Sequence, residues 1–168
     1  MSKAIASVLL VLALLTLTAT AKESKKKITG YQNIEVVRFQ VDNAVEFPAD
    51  YLVSMTEELM EQIGKTKRFK QVLREGESLG EADSATIRLT GKVTKFNAGS
   101  RAKRYFIGFG AGKTKVVAHI KLTDRATGKV LFEKDVDGEV TGGLFGGESR
   151  NATRGLANDV AKVIKKQF

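Results

Sequence analysis

The sequence predicts an α+β fold, in which a mostly antiparallel sheet carries two helices packed on one face. Two stretches, residues 48–64 and 149–167, repeat apolar side chains at the three-to-four-residue spacing of a helix. Five others are rich in β-branched residues or alternate apolar with polar residues, as strands do. Their order along the chain is β-α-β-β-β-β-α, and no internal repeat indicates a second domain.

The first 21 residues stand apart from this fold as a cleavable secretory signal. Lys3 precedes an apolar run at residues 8–15, and small residues follow up to Ala21. A basic start, a short apolar run and an Ala-x-Ala ending are the three parts of such a signal. The run is shorter than the roughly 20 apolar residues that span a bilayer. We expect cleavage between Ala21 and Lys22 and an exported protein, periplasmic or secreted.

The residue composition and the net charge exclude several classes of function. The 168 residues include no cysteine and one histidine, His119, so we expect no thiolate or multi-histidine metal site, no cofactor and no lipid anchor on a cysteine. The formal net charge of +9 attracts polyanions. After export these are mainly lipid headgroups and cell-wall polymers. Nucleic acid is not expected, because the chain has no Trp and three Tyr for base stacking.

The elements follow in order from the mature start. Residues 22–30 predict a disordered basic tail, and residues 31–168 a single globular domain. Residues 33–41 predict the first strand. Pro48 begins a helix, which Gly64 is expected to end. The apolar face of this helix comprises Leu52, Met55, Leu59 and Ile63.

Four strands and a helix complete the domain. Residues 69–73 predict a short strand, and residues 84–96 alternate as a half-buried strand does. Residues 114–123 and 129–140 predict a hairpin. In the last helix Ala152, Leu156, Val160, Val163 and Ile164 form the apolar face, with Lys162, Lys165 and Lys166 near its C-terminus.

The turn at residues 124–128 (DRATG) predicts the pairing of this hairpin, with Gly128 in the left-handed conformation. Pairing Thr123 with Lys129 places Leu122 opposite Val130, Ile120 opposite Phe132, and Val116 opposite Val136, all on one face. On the other face Lys121 meets Leu131, His119 meets Glu133, and Lys115 meets Asp137. A one-residue slip would exchange the two faces.

Four carboxylates alternate along the second hairpin strand: Glu133, Asp135, Asp137 and Glu139. Such a row could bind calcium or, with His119, support a small hydrolase or ligand-binding enzyme. We favour a solvated strand face whose acids oppose bases, because a calcium site gathers oxygens around one point and not along a line. We therefore expect no catalytic residue and no enzyme.

Residues 108–114 (GFGAGKT) imitate a phosphate-binding loop. The motif requires glycine five residues before Gly112, where this chain has Ile107, and a helix after the Lys-Thr pair. The residues after Thr114 alternate as a strand does. Nucleotide binding is therefore not expected.

Two glycine-rich segments carry the candidate interaction edge. Residues 101–112 (RAKRYFIGFGAG) and 142–147 (GGLFGG) would be neighbours if Lys113 opposes Glu139. Their aromatics either fold under the sheet, or form an exposed edge that would bind a partner protein or an anionic membrane or cell-wall surface. The edge comprises Arg101, Lys103, Arg104, Phe106, Ile107, Phe109, Lys113, Leu144 and Phe145.

Residues 100–112 (SRAKRYFIGFGAG), an alternating strand, the DRATG turn, the GGLFGG segment and a terminal helix together resemble the domain-of-unknown-function family DUF4410. The resemblance implies a small exported bacterial protein without an assigned activity, and it supplies no catalytic residue. Many members are lipoproteins, but this chain lacks the cysteine that would carry the lipid. The sequence thus favours a non-enzymatic envelope protein that binds a partner or a surface.

Overall fold

The computed structural model describes residues 27–78, 80, 85–97, 114–139 and 150–168, with the backbone alone for residues 150–152. Its elements in chain order are β1 (Asn33–Val36), β2 (Gln40–Val41), α1 (Ala49–Lys65), β3 (Gln71–Arg74), β4 (Thr86–Asn97), β5 (Lys115–Asp124), β6 (Val130–Glu139) and α2 (Arg150–Gln167). They confirm the α+β fold and the predicted order of helices and strands.

The strands form one mixed sheet in the order β3-β1-β4-β5-β6, with β2 also paired to β4. The pairs β4–β5 and β5–β6 are antiparallel, and the short β1, β2 and β3 pair in parallel. Helices α1 and α2 pack against each other and contact the sheet. Their buried side chains meet those of the strands in one apolar core, which includes Ile34, Met55, Leu59, Leu89, Ile120, Leu156 and Ile164. We call the other face of the sheet the open face.

The first strand is two strands and not the single one predicted. Val37 N still donates to Leu89 O at 2.9 Å, and pairing with β4 resumes at Gln40. Between them the ring of Phe39, 2% exposed, lies where a side chain at position 91 would be, since a Cβ on Gly91 would come within 2.4 Å of it. The core therefore gains an aromatic ring, and the chain leaves the ladder to place it there.

The end of α1 also differs from the prediction. Gly64 lies inside the helix, which ends at Lys65. Thr66 donates its hydroxyl to Ile63 O at 2.6 Å, and Lys67 takes the left-handed conformation with φ 55°. The helix therefore ends at the Thr66 hydroxyl and the left-handed Lys67, and not at Gly64 as the sequence predicted.

The predicted hairpin forms, but its register was wrong by two residues. Gly128 has φ 72°, as predicted, and its N donates to Asp124 O at 2.8 Å. Ile120 lies opposite Lys134, and Leu122 opposite Phe132. Thr123 pairs with Val130, so Leu131 is an extra residue that shifts the ladder by one, and the turn shifts it by one more. Because the total is even, β5 and the part of β6 that follows Leu131 keep their predicted faces, whereas Val130 does not.

The other predicted pairs move with the register. His119 lies opposite Asp135, and Lys121 opposite Glu133. Val130, predicted to be buried opposite Leu122, is 46% exposed at the turn end of the hairpin.

Candidate functional site

Three strand ends meet at one end of the sheet. Asn97 at the end of β4 pairs with Lys115 at the start of β5, and Lys115 pairs with Glu139 at the end of β6. The first turns of α2 lie beside them, because a Cβ on Gly155 would come within 2.8 Å of Glu139 O. We call this the upper end of the sheet. Residues 98–113 and 140–149 are the connections that leave and rejoin the described chain here.

An aromatic cluster flanks the upper end on the side of α1. The rings of Phe47 and Phe96 meet edge to face with centroids 4.9 Å apart, and Tyr51 lies 5.9 Å from Phe47. Phe96 directly precedes Asn97 in β4. The three rings are half-buried, and an open groove runs along them, lined by residues 44–48 and 94–96. Apolar surface therefore reaches the place where residues 98–113 begin.

The nine residues of the predicted interaction edge lie outside the described residues, as do Ala21 and Lys22. Lys115, and not Lys113, lies opposite Glu139, so the pairing that suggested their adjacency was wrong by two residues. The described residues on either side of both glycine-rich segments lie at the upper end of the sheet.

The acidic strand is a solvated face whose acids oppose bases, as predicted. Lys115 Nζ lies 2.7 Å from Asp137 Oδ2 and 3.5 Å from Glu139 Oε1, and Lys121 Nζ lies 3.6 Å from Glu133 Oε2. The hydrogen bond from Lys115 holds the pKa of Asp137 below its usual range. Exposed pairs of this kind stabilise a sheet weakly, by about 0.2 to 1 kcal/mol each.

His119 belongs to the same row. Its Nδ1 lies 2.7 Å from Asp135 Oδ1 and its Nε2 lies 3.8 Å from Glu133 Oε2. Both ring nitrogens thus face carboxylates on a half-exposed surface. Among the described residues no group of three or more His, Cys, Asp or Glu side chains could hold a metal ion.

The phosphate-loop resemblance fails on its structural context. Lys115 begins a strand, where the motif needs the N-terminus of a helix to hold the phosphates. The part of the chain that the structure describes also contains no helix long and apolar enough to cross a membrane.

Sequence reasoning missed a buried charge on the open face. Glu35 in β1 is 1% exposed, and its Oε2 accepts a hydrogen bond from Arg88 Nε at 2.6 Å. Arg125 Nε approaches the same oxygen at 3.5 Å, and Gly76 N donates to Oε1 at 3.0 Å. The signal was a lone acid between Ile34 and Val36. The cluster connects β1, β4, the β5–β6 turn and the turn after β3.

Comparison with known proteins identifies a matching family model and solved structures with a similar fold. A family model described as a domain of unknown function (DUF4410) matches residues 41–142. PelC from Paraburkholderia phytofirmans, solved as a dodecamer, is 16% identical with a TM-score of 0.57 over 84% of this chain and 93% of that chain. A second crystal form of that dodecamer gives 16% identity and a TM-score of 0.55, over 83% and 90% of the two chains.

Protein XCC0632 from Xanthomonas campestris is 8% identical with a TM-score of 0.52, over 84% of this chain and 88% of that chain. No curated protein matches the chain. At these identities the solved structures show a shared fold.

Proposed function

We propose, for a chain that belongs to the family of domains of unknown function DUF4410, a non-enzymatic role as a binding module of the bacterial envelope. The upper end of the sheet, with the two glycine-rich segments attached to it, is the contact region, and its partner is a protein. The secretory signal predicted for residues 1–21 supports the location.

The observation that carries this proposal is the row formed by Asn97, Lys115 and Glu139. Residues 98–113 join the first two of these strands, and residues 140–149 follow the third. Both segments combine glycines with large apolar residues, Phe106, Ile107 and Phe109 in one and Leu144 and Phe145 in the other. Two apolar segments anchored at adjacent strand ends would make one continuous contact surface, which is the type of patch that marks a protein interface.

Charge around this surface would add to its selectivity. Arg101, Lys103 and Arg104 precede the apolar residues of the first segment. Exposed charges steer association and are screened over about 8 Å at physiological ionic strength. We therefore expect partner binding to weaken as salt is added, while the apolar part of the affinity persists.

One candidate for the partner protein is a second copy of this chain. PelC shares the fold and was solved as a dodecamer. The mass of the purified chain in solution would show whether it self-associates, and the same variants that remove partner binding would then dissociate the assembly.

Replacing Phe109 and Phe145 by Ser tests the proposal. We expect at least a tenfold loss of partner binding and a melting temperature within about 3 °C of the parent chain, because the proposal assigns both rings to the contact surface, and surface side chains contribute little to folding. Partner binding is measured by pull-down, or as loss of oligomer mass if the partner is a second copy.

The matched control replaces Val53 and Val130, the two exposed large hydrophobic residues of the described chain, by Ser. It removes a comparable kind of surface elsewhere and should leave binding unchanged. A large drop in melting temperature for the phenylalanine variant, with unaltered binding, would place those rings in the core and refute the proposal.

A further inference from the structure

Six exposed basic side chains lie at the end of the domain opposite the upper end of the sheet. They come from three segments: the start of the described chain, the connection between α1 and β3, and the last turn of α2. We call this set the basic end, and it comprises Lys27, Lys67, Arg68, Lys70, Lys165 and Lys166.

Specific contacts hold the three segments together. Ile28 N donates to Gln167 O at 2.8 Å, which ties the start of the described chain to the end of α2. The rings of Phe69 and Phe168 meet edge to face at 5.1 Å, which ties the α1–β3 connection to the same helix end. Lys70 N donates to Gln32 O at 2.7 Å, which joins the α1–β3 connection to the start of the described chain. The fold therefore gathers charges that are far apart in sequence.

The basic end brings six exposed basic side chains together without pairing any of them with an acid of the described chain. Among the other described lysines, Lys92 pairs with Asp42 and Lys162 with Asp159, both at 2.7 Å, whereas the exposed Lys95 and Lys134 on the strands form no ion pair with a described residue. None of the six side chains of the basic end forms an ion pair with a described residue. Favourable interaction with the helix dipole accounts for Lys165 and Lys166 in the last turn of α2. It does not account for Lys27 or Lys70, which lie outside the helices.

We propose that the basic end docks the domain on an anionic membrane surface. Headgroup phosphates present diffuse negative charge, which several unpaired lysines can meet without a shaped pocket. Phe69 and Phe168 pack on each other and on the core, so the stacking surface that single-stranded nucleic acid requires is not offered here. In the sequence, Lys25 and Lys26 directly precede Lys27.

The docking has a geometric consequence. Strand β4 runs for 12 residues from Thr86 to Asn97, a length of roughly 35 Å. A domain seated on its basic end would hold the upper end of the sheet away from the membrane. The two surfaces can therefore act independently, and this inference does not depend on the proposed partner site.

Sedimentation with lipid vesicles tests the proposal on the chain purified after export. Binding is compared between vesicles of phosphatidylcholine alone and vesicles with about one third phosphatidylglycerol, at low and high salt. We expect binding to the anionic vesicles alone, lost at high salt because a charge-driven contact is screened. Each lysine near such a surface contributes roughly a fivefold increase in partitioning.

A pair of double variants separates the basic end from net charge. Lys70→Gln with Lys166→Gln should lower partitioning roughly 25-fold. Lys95→Gln with Lys134→Gln removes the same charge from exposed positions on the strands and should lower it less than threefold. Equal losses for the two variants would overturn the proposal, because net charge alone would then explain binding. If the parent chain did not bind the anionic vesicles, the proposal would be refuted. Retention of the chain on an anionic polymer such as heparin would not change that conclusion.

Discussion

Gly138→Ala should destabilise the domain by about 3 kcal/mol or more, the upper part of the range for overpacked sites. A Cβ at position 138 would lie 2.1 Å from Leu156 N and 2.4 Å from Leu156 Cα. Both are backbone atoms of α2, so no side-chain rotation relieves the contact, and the helix must move away from β6. Gly155 lies on the opposite side of the same contact. Chemical denaturation of the purified variant measures the loss.

Gly64→Ala is the matched control for this substitution. Gly64 lies within α1, and an added Cβ would have no heavy atom within 4 Å. Alanine should therefore stabilise the domain by about 0.5 to 1 kcal/mol, through helix propensity and a less flexible unfolded chain. If Gly138→Ala changed stability by no more than this control, the close contact between α2 and β6 would not exist.

Arg88→Met should cost about 3 kcal/mol, because it leaves the buried carboxylate of Glu35 without its nearest cation. Arg88 Nε lies 2.6 Å from Glu35 Oε2, whereas Arg125 Nε lies at 3.5 Å and cannot replace that hydrogen bond without moving. Adding Glu35→Gln to Arg88→Met removes the uncompensated charge and should recover part of the loss. Urea denaturation of the two single variants and the double variant gives the coupling energy.

The exposed pair of Arg74 and Glu57 provides the comparison for the buried one. Both side chains are about half exposed. Glu57→Gln should therefore cost less than about 1 kcal/mol, as exposed ion pairs do. Similar costs for Arg88→Met and Glu57→Gln would show that burial of Glu35 does not strengthen its interaction with Arg88.

Local patterns in the sequence were sufficient for much of this fold. Alternation along residues 114–123 and 129–140 predicted which side chains of β5 are buried, and of β6 all but Val130 at its start, because the period of a strand is a local property. The turn chemistry also placed Gly128 in the left-handed conformation correctly. The pairing was wrong because Leu131 is an extra residue in β6 and the turn adds a second shift of one residue. Residues 130–132 are all apolar, so the alternation does not show which of them the ladder skips.

The features missed from the sequence depend on contacts between distant segments. The break between β1 and β2 arises because the ring of Phe39 fills the space above Gly91, a residue of another strand. Burial of Glu35 requires Arg88 and Arg125, which the sheet brings to it. The basic end could not be predicted for the same reason. Each of its three segments on its own has the composition of an ordinary solvated surface, and only the fold brings them together.

The claim that the upper end of the sheet is the contact region is tested most directly by site-specific photo-crosslinking in the intact envelope. A photoreactive residue replaces Phe145 in one variant and Val130 in another. Val130 is 46% exposed at the turn end of the hairpin, far along β6 from Glu139. We predict a crosslink to one discrete protein, or to a second copy of the chain, from position 145 and none from position 130. Crosslinks from position 130 alone, or the same products from both positions, would contradict the account.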